Sequence, residues 1–273
     1  MRSRPIRPVG RTDRLPRAAI ALAAIGAALF AIPLLALLWR MPWESAWAEL
    51  ASAEVATALR LSLVCSLSAT ALSAVFGLPL GWVQARAEFP GRSLLRALTL
   101  VPVVLPPVVG GVALLMAFGR RGPVGAWLEA TFGVRLPFSI AGAILAETFV
   151  AMPFFVLTVE GGLRSIDRRL EDAARTLGAR PWTVFRRVTL PLLRPSLVAG
   201  LALCWARALG EFGATIMFAG NVEGRTRTLP LLVYSEFQDS VDAAAAAAAV
   251  LVVAALGVLV AVRVTRWRSI LPT

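Results

Sequence analysis

Arg207 and Glu211 lie four residues apart inside an otherwise apolar stretch, and Glu147 lies inside another. A guanidinium and a carboxylate at that spacing share one face of a helix and can pair. Removing such charges from water is costly, so ionisable residues inside membrane segments turn toward the bundle interior and often mark a pathway. Two readings stay open: a structural ion pair at a helix interface, or a pair that lines or gates a route, with Glu147 a candidate partner in either. Bond-making chemistry has less to work with. The chain contains no His, which removes a histidine general base, a histidine metal site and histidine haem ligation. It contains no Lys either, so a phosphate loop ending in Gly-Lys-Ser/Thr cannot form, and any ATP that drives this protein must bind another chain. Cys65 and Cys204 stand in separate apolar stretches and read as small buried hydrophobes rather than as a disulfide or metal pair. No catalytic residue and no metal ligand is assigned. A membrane-embedded enzyme, which would need a nucleophile with a base or clustered carboxylates, is the remote alternative.

The elements that position these charges follow from composition. The chain has 273 residues, of which 58% are hydrophobic, with a mean hydropathy of +0.74. A soluble domain of that size does not carry so much apolar surface, so the expectation is an all-α integral membrane protein. The net charge of +12 does not indicate nucleic acid, because the arginines cluster in short segments between apolar stretches. A membrane helix needs roughly 20 mostly apolar residues. Six stretches qualify: residues 18–38, 58–83, 98–118, 138–159, 196–219 and 243–262. The first follows six arginines in a basic tail, residues 1–17, and could pass for a signal peptide; its length and the absence of a convincing cleavage site favour a helix.

Twenty of the 28 arginines fall in the N-terminal tail, the second-to-third loop, the fourth-to-fifth loop and the C-terminal tail. That bias places both termini in the cytoplasm and turns the acidic connector with Glu44, Glu49 and Glu54 outward. Pro102, Pro106 and Pro107 interrupt the third stretch, which reads either as a kinked packing helix or as a bent helix lining a pathway. The alanine run at 243–249 reads as a close-packing face.

The basic loop at 164–195 is the most informative segment. Leu170, Ala173, Ala174 and Leu177 recur at i, i+3, i+4 and i+7, one face of a short helix, while Arg168, Glu171, Asp172 and Arg175 take the other. Gly178 is suited to the left-handed conformation that stops a helix, and Pro181 prevents its resumption. A second helical pattern begins near Trp182 with Phe185 and Val188 on one side, and Pro191 and Pro195 mark the turn into the fifth stretch. The first helix could lie on the membrane surface or pack into a groove on another protein.

That loop resembles the coupling loop of ABC-importer permeases. Their pattern is Glu-Ala-Ala, three residues, Gly, nine residues, then Ile-x-Leu-Pro. Here Asp172-Ala173-Ala174, Gly178 and Val188-Thr189-Leu190-Pro191 fill it, with Asp for Glu at 172 and Val for Ile at 188. The shorter Asp leaves open whether Glu171 or Asp172 contacts an ATPase. Residues 119–125 (GRRGPVG), 206–221 (ARALGEFGATIMFAGN) and 224–231 (GRTRTLPL) resemble permeases for tetrahedral oxyanions, and the Phe-Gly-Ala-Thr-Ile-Met wording favours the molybdate branch over the sulfate branch. The similarity covers roughly residues 55–265 and omits the tail and first stretch.

The resemblance implies a type I ABC-importer permease fold with a transmembrane domain over 55–265. It implies a transport subunit, not an enzyme, in a bacterial inner membrane, carrying molybdate and also tungstate, with a sulfate or thiosulfate importer as the alternative. Implied partners are a second copy of the chain, two ABC ATPase subunits holding ATP and Mg²⁺, an external oxyanion-binding protein and the bilayer, with no cofactor on this chain. Glu171, Asp172, Ala173, Ala174, Leu177, Gly178, Leu190 and Pro191 would form the coupling loop. Arg207, Glu211 and Glu147 are the candidate pathway or gate. Asn221, Arg225 and Arg227 read as a solvated loop or as the dock for the binding protein.

Overall fold

The computed structural model describes residues 17–41, 43–44 and 51–268. Residues 1–16 of the basic tail and Glu49 of the acidic connector lie outside them. The chain divides into two units, Met1–Met41 and Pro42–Thr273. The first unit carries α1, Arg17–Arg40, a helix apolar all round whose Leu29, Phe30 and Trp39 are exposed. A helix with no polar stripe is one built for an apolar surrounding.

The second unit is built on α2, Ala53–Arg86. At 34 residues and 1.5 Å per residue it is about 50 Å long, more than the roughly 30 Å of a bilayer core. Ser52 caps it, accepting a hydrogen bond from the Val55 amide. Helix α3, Arg92–Val104, and helix α4, Pro107–Phe118, follow. Next come α5, Pro123–Phe132, and α6, Ile140–Ser165.

The buried face of α2 is made of small residues, among them Ala58, Ser62, Cys65, Ser66, Ala69 and Ser73, which let its backbone approach its neighbours closely. A Cβ on Gly77 would stand 2.9 Å from Phe155 Cδ1, and one on Gly81 would stand 3.0 Å from Val159 Cγ1, so α2 and α6 touch where only glycine fits.

The remaining elements are α7, Arg168–Thr176, α8, Pro181–Val184, a π-helical turn, Phe185–Thr189, and α9, Leu190–Leu209. After these come α10, Gly213–Phe218, α11, Leu229–Asp239, and α12, Val241–Arg268. Phe155, Val159, Leu163, Leu193, Cys204 and Ala208 join α6 and α9 to α2 in one core. Ala247, from the expected alanine face, packs with Val55, Ala58, Leu229 and Leu232, tying α12 to α2 and α11.

Three expectations change. The third stretch is not one bent helix but two helices whose directions differ by a bend of 118°. A residue that precedes proline is pushed out of the α region. Here that happens twice in succession, to Leu105 (ψ 138°) and to Pro106 (ψ 132°), so the helix stops and restarts in a new direction.

The stretch at 196–219 is likewise interrupted, between Leu209 and Gly213. Conversely, Pro191 and Pro195 do not mark a turn: a helical run passes through both from Pro181 to Leu209. The π-helical turn just upstream, where the Leu190 amide reaches back to the Phe185 carbonyl, relaxes the ladder that Pro191 cannot join. Against the six expected spans, four helices among the described residues are long and apolar enough to cross a membrane, or five with the bent pair counted as one. In α12 the apolar run among the described residues is the shorter Ala243–Gly257.

Candidate functional site

Helix α7 is the short helix expected in the basic loop. Asp167 caps it through the Arg169 amide at 3.0 Å. It ends where Gly178 takes a φ of +83°, with the Gly178 amide on the Arg175 carbonyl and the Ala179 amide on the Ala174 carbonyl. Pro181 then opens α8 at a position that needs no amide donor.

The apolar face faces away from the rest of the chain. Leu170 and Ala173 are exposed, Ala174 is half-buried, and Leu177 is 89% exposed. Trp182, stacked on Phe185 at 5.3 Å, extends this apolar surface onto α8. Leu190 is half-buried and Pro191 exposed at the start of α9.

The charged face is split in a way the helical pattern does not show. Asp172 is exposed and pairs with Arg175 at 2.9 Å. Glu171 turns inward and is buried. Its Oε1 accepts a 2.7 Å hydrogen bond from Thr189 Oγ1 on the π-helical turn and lies 3.3 Å from Arg86 Nη2 at the end of α2. Of the two carboxylates, Asp172 is therefore the one open to a second protein, and Glu171 is committed within this chain.

A second polar cluster adjoins it. Glu160 on α6 pairs with Arg96 on α3 and with Arg164, each at 2.7 Å. Arg92 and Arg96 donate to the Gln84 carbonyl, and Arg92 also to that of Ala85, which satisfies the last carbonyls of α2. In the sequence Arg86, Arg92, Arg96 and Arg164 bear only on orientation, and neither Thr189 nor Glu160 stands out. The i, i+4 spacing of Glu160 and Arg164 is a readable signal; the partners of Arg86 and Arg96, in distant segments, are not.

Arg207 and Glu211 do pair, with Nη1 2.6 Å from Oε2, but not along one continuous helix. Glu211 lies in the break after α9, and its other oxygen accepts the Ala214 amide at 2.7 Å. It thus caps α10 while holding Arg207. The break lies against the other broken helix, since a Cβ on Gly213 would stand 3.0 Å from the Pro107 ring and 3.1 Å from the Val108 amide nitrogen at the start of α4.

Glu147 is buried on α6 within electrostatic reach of Glu211, but among the described residues it pairs with neither arginine nor any other cation. Arg207 thus pairs with Glu211, as their spacing predicts, and Glu147, the further candidate partner, does not join that pair.

Two of the three candidate docking residues are used internally. Arg227 is 20% exposed, lies 2.6 Å from Glu54 on α2, and donates to Asn221, which in turn donates to Ser235. Arg225 is exposed. Glu54, Thr57, Glu223, Gly224 and Arg227 line a cavity of about 320 Å³ beside this cluster.

Comparison with known proteins agrees with the fold. Residues 77–267 match the family described as the binding-protein-dependent transport system inner membrane component. The chain is 46% identical over 248 residues to the molybdenum transport system permease protein ModB of Mycobacterium tuberculosis, covering 91% of this chain and 94% of that relative. It is 37% identical over 241 residues to the sulfate transport system permease protein CysT of Escherichia coli, covering 87% of each. In architecture it is similar to a chain of a bacterial ABC transporter that imports alginate, with a TM-score of 0.69 at 20% identity over 93% of this chain and 96% of that one. With a family match over residues 77–267 and several helices long and apolar enough to cross a membrane, the chain belongs to the binding-protein-dependent transport system inner membrane components and is a multi-pass membrane protein of that kind.

Proposed function

We propose that this chain is the permease subunit of an ATP-driven importer for molybdate and for tungstate, which has the same charge and nearly the same size. Two copies enclose the pathway, and each crosses the membrane six times with both termini in the cytoplasm. Two ATPase subunits, which hold ATP and Mg²⁺, grip the α7 segments from below, and an external binding protein delivers the oxyanion. ATP binding and hydrolysis bias the pair between inward-open and outward-open states.

The observation that carries the transport reading is the outward apolar face of α7, with Leu170 and Leu177 exposed beside Trp182 on a basic loop. An apolar ridge fenced by Arg168, Asp172 and Arg175 suits a groove on a soluble protein better than the interior of a bilayer. For the cargo, the support is that the molybdenum permease is the nearer relative, at 46% against 37% identity for the sulfate permease.

The pathway runs past the break between α9 and α10, where Arg207 offers a positive charge tempered by Glu211, so that a divalent anion is attracted without being trapped. Arg207→Gln is expected to reduce uptake at least several-fold while the permease still assembles with its ATPase; normal uptake would remove Arg207 from the pathway.

The deciding experiment is uptake of labelled molybdate into vesicles that hold the permease, its ATPase and its binding protein, with excess sulfate as competitor. ATP-dependent uptake that sulfate does not suppress supports the molybdate reading. Suppression by sulfate, with sulfate itself carried, moves the cargo to the sulfate branch.

A further inference from the structure

The exposed face of α7 explains how a second protein could hold this helix, but not how a push on it reaches the pathway. Thr189, one partner of Glu171, lies on the turn that leads into α9, and so on the helix that carries Arg207. Arg86, the other, is the last residue of α2. The two carbonyls just before it, Gln84 and Ala85, are held by Arg92 and Arg96 of α3, and Arg96 is held in turn by Glu160 of α6. Beyond α3 lies the 118° break and α4, whose start packs on Gly213 beside Glu211. One inward carboxylate therefore stands at the head of two routes, one along α9 and one through the polar contacts of α2, α3 and α6, that converge on the same pair of helix breaks.

The two bonds of Glu171 are unequal. Thr189 holds it at 2.7 Å, whereas Arg86 approaches only to 3.3 Å. Arg86 Nε is buried and has no partner among the described residues. A guanidinium carries five donors in a rigid fork. Arg86 thus keeps an unused buried donor beside the nitrogen that holds Glu171, and a small shift of α7 can bring the carboxylate onto it. In low-dielectric surroundings a charge-assisted bond of this kind is strong, and its rearrangement is energetically consequential.

We infer that Glu171, with Arg86 and Thr189, forms a positioning clamp that transmits movement of the docking helix to the broken helices around Arg207. It forms no part of the surface that the ATPase touches. This inference rests on the docking role proposed for α7.

The test uses the assembled transporter in vesicles and reads molybdate carried per ATP hydrolysed, together with retention of the ATPase on purification. Arg86→Gln is expected to retain the ATPase and to lower the ratio about tenfold. The exchange pair Arg86→Glu with Glu171→Arg is expected to bring it back to within about threefold, which shows that the pair and not either side chain alone sets the ratio. An unchanged ratio in Arg86→Gln overturns the clamp. So does loss of the ATPase from that variant, since the pair would then be supporting the docking face itself, and so does failure of the exchange pair to recover the ratio.

Should the Arg86→Gln chain itself fail to fold and insert, Thr189→Val, which removes only the shorter bond, carries the test: a lowered ratio supports the clamp and an unchanged one overturns it. Leu177→Asp separates the clamp from the reading beneath it. If that variant keeps its ATPase, the docking role of α7 falls; if it loses its ATPase and Arg86→Gln transports normally, the clamp alone falls.

Discussion

Glu171 and Glu211 are both buried, and each faces an arginine, yet they do opposite work. The partners of Glu211 are Arg207 and the Ala214 amide, four and three residues away. The partners of Glu171 are Thr189 and Arg86, 18 and 85 residues away. The first carboxylate organises a single break in the chain and would do so whatever packed around it. The second exists only because three separate elements meet, and so it registers how they are arranged. Local pairs set the shape of a helix end; distant pairs join elements that can move relative to one another. The pathway proposed at the first and the clamp inferred at the second would draw on that difference.

The largest expected effect comes from breaking the local pair. Glu211→Ala removes the cap of α10 and leaves Arg207, itself 27% exposed, without its buried partner. Breaking a buried pair in this way costs about 3–5 kcal/mol. Thermal unfolding of the purified permease should show it as a large fall in Tm. Glu171→Gln, whose amide oxygen can still accept from Thr189, should lower Tm by less than half as much. Equal losses would erase the distinction between a carboxylate that builds a local turn and one that joins elements.

Gly178→Ala is next in size. With φ at +83° and no atom within 4 Å of the place a Cβ would occupy, the substitution meets no steric neighbour and carries backbone strain alone. That strain is about 1–2 kcal/mol. Its effect should be confined to the end of α7, lowering ATPase retention more than Tm. A fall in Tm without any change in retention would mean that the glycine stop serves folding and not docking.

How much of this is legible in the sequence divides along the same line. Features set by near neighbours are readable: the glycine stop at 178, the i, i+4 spacing of Arg207 and Glu211, the proline interruption of the third stretch and the close-packing alanines of α12. What fails depends on geometry that spacing does not encode. Pro106 and Pro107 announce a disturbance, but two successive residues driven into extended conformation produce a break rather than a bend, and only the backbone angles reveal it. Helical periodicity puts Glu171 and Asp172 on one charged face, yet they are adjacent residues about 100° apart around the axis, enough for one to face the chain and the other to face away. Arg227 looks free in the sequence because its partner, Glu54, lies 173 residues earlier.

The smallest expected effect sets an exposed cluster against the buried ones. Glu129 on α5 takes hydrogen bonds from Arg120 at 3.2 Å and from Arg135 at 2.8 Å, with both arginines more than half exposed. The hydrogen bond from Arg120 is the main influence that holds its carboxyl below the usual carboxylate range, and the charges of Arg120 and Arg135 act in the same direction. A carboxyl lowered on folding contributes stability that is fully present above its unfolded pKa, about 4. That contribution disappears as the pH falls through the lower, folded value. Glu129→Gln should therefore differ from the parent by a small, constant Tm offset between about pH 5 and 8, and the offset should vanish in stronger acid. Because the cluster is wet, raising the salt concentration should shrink the offset as well. The same salt should leave the effect of Arg86→Gln on transport per ATP unchanged, since the Arg86 and Glu171 side chains are withdrawn from solvent. An offset at Glu129 that survives both acid and salt would mean that its arginines act by packing their stems and not by charge.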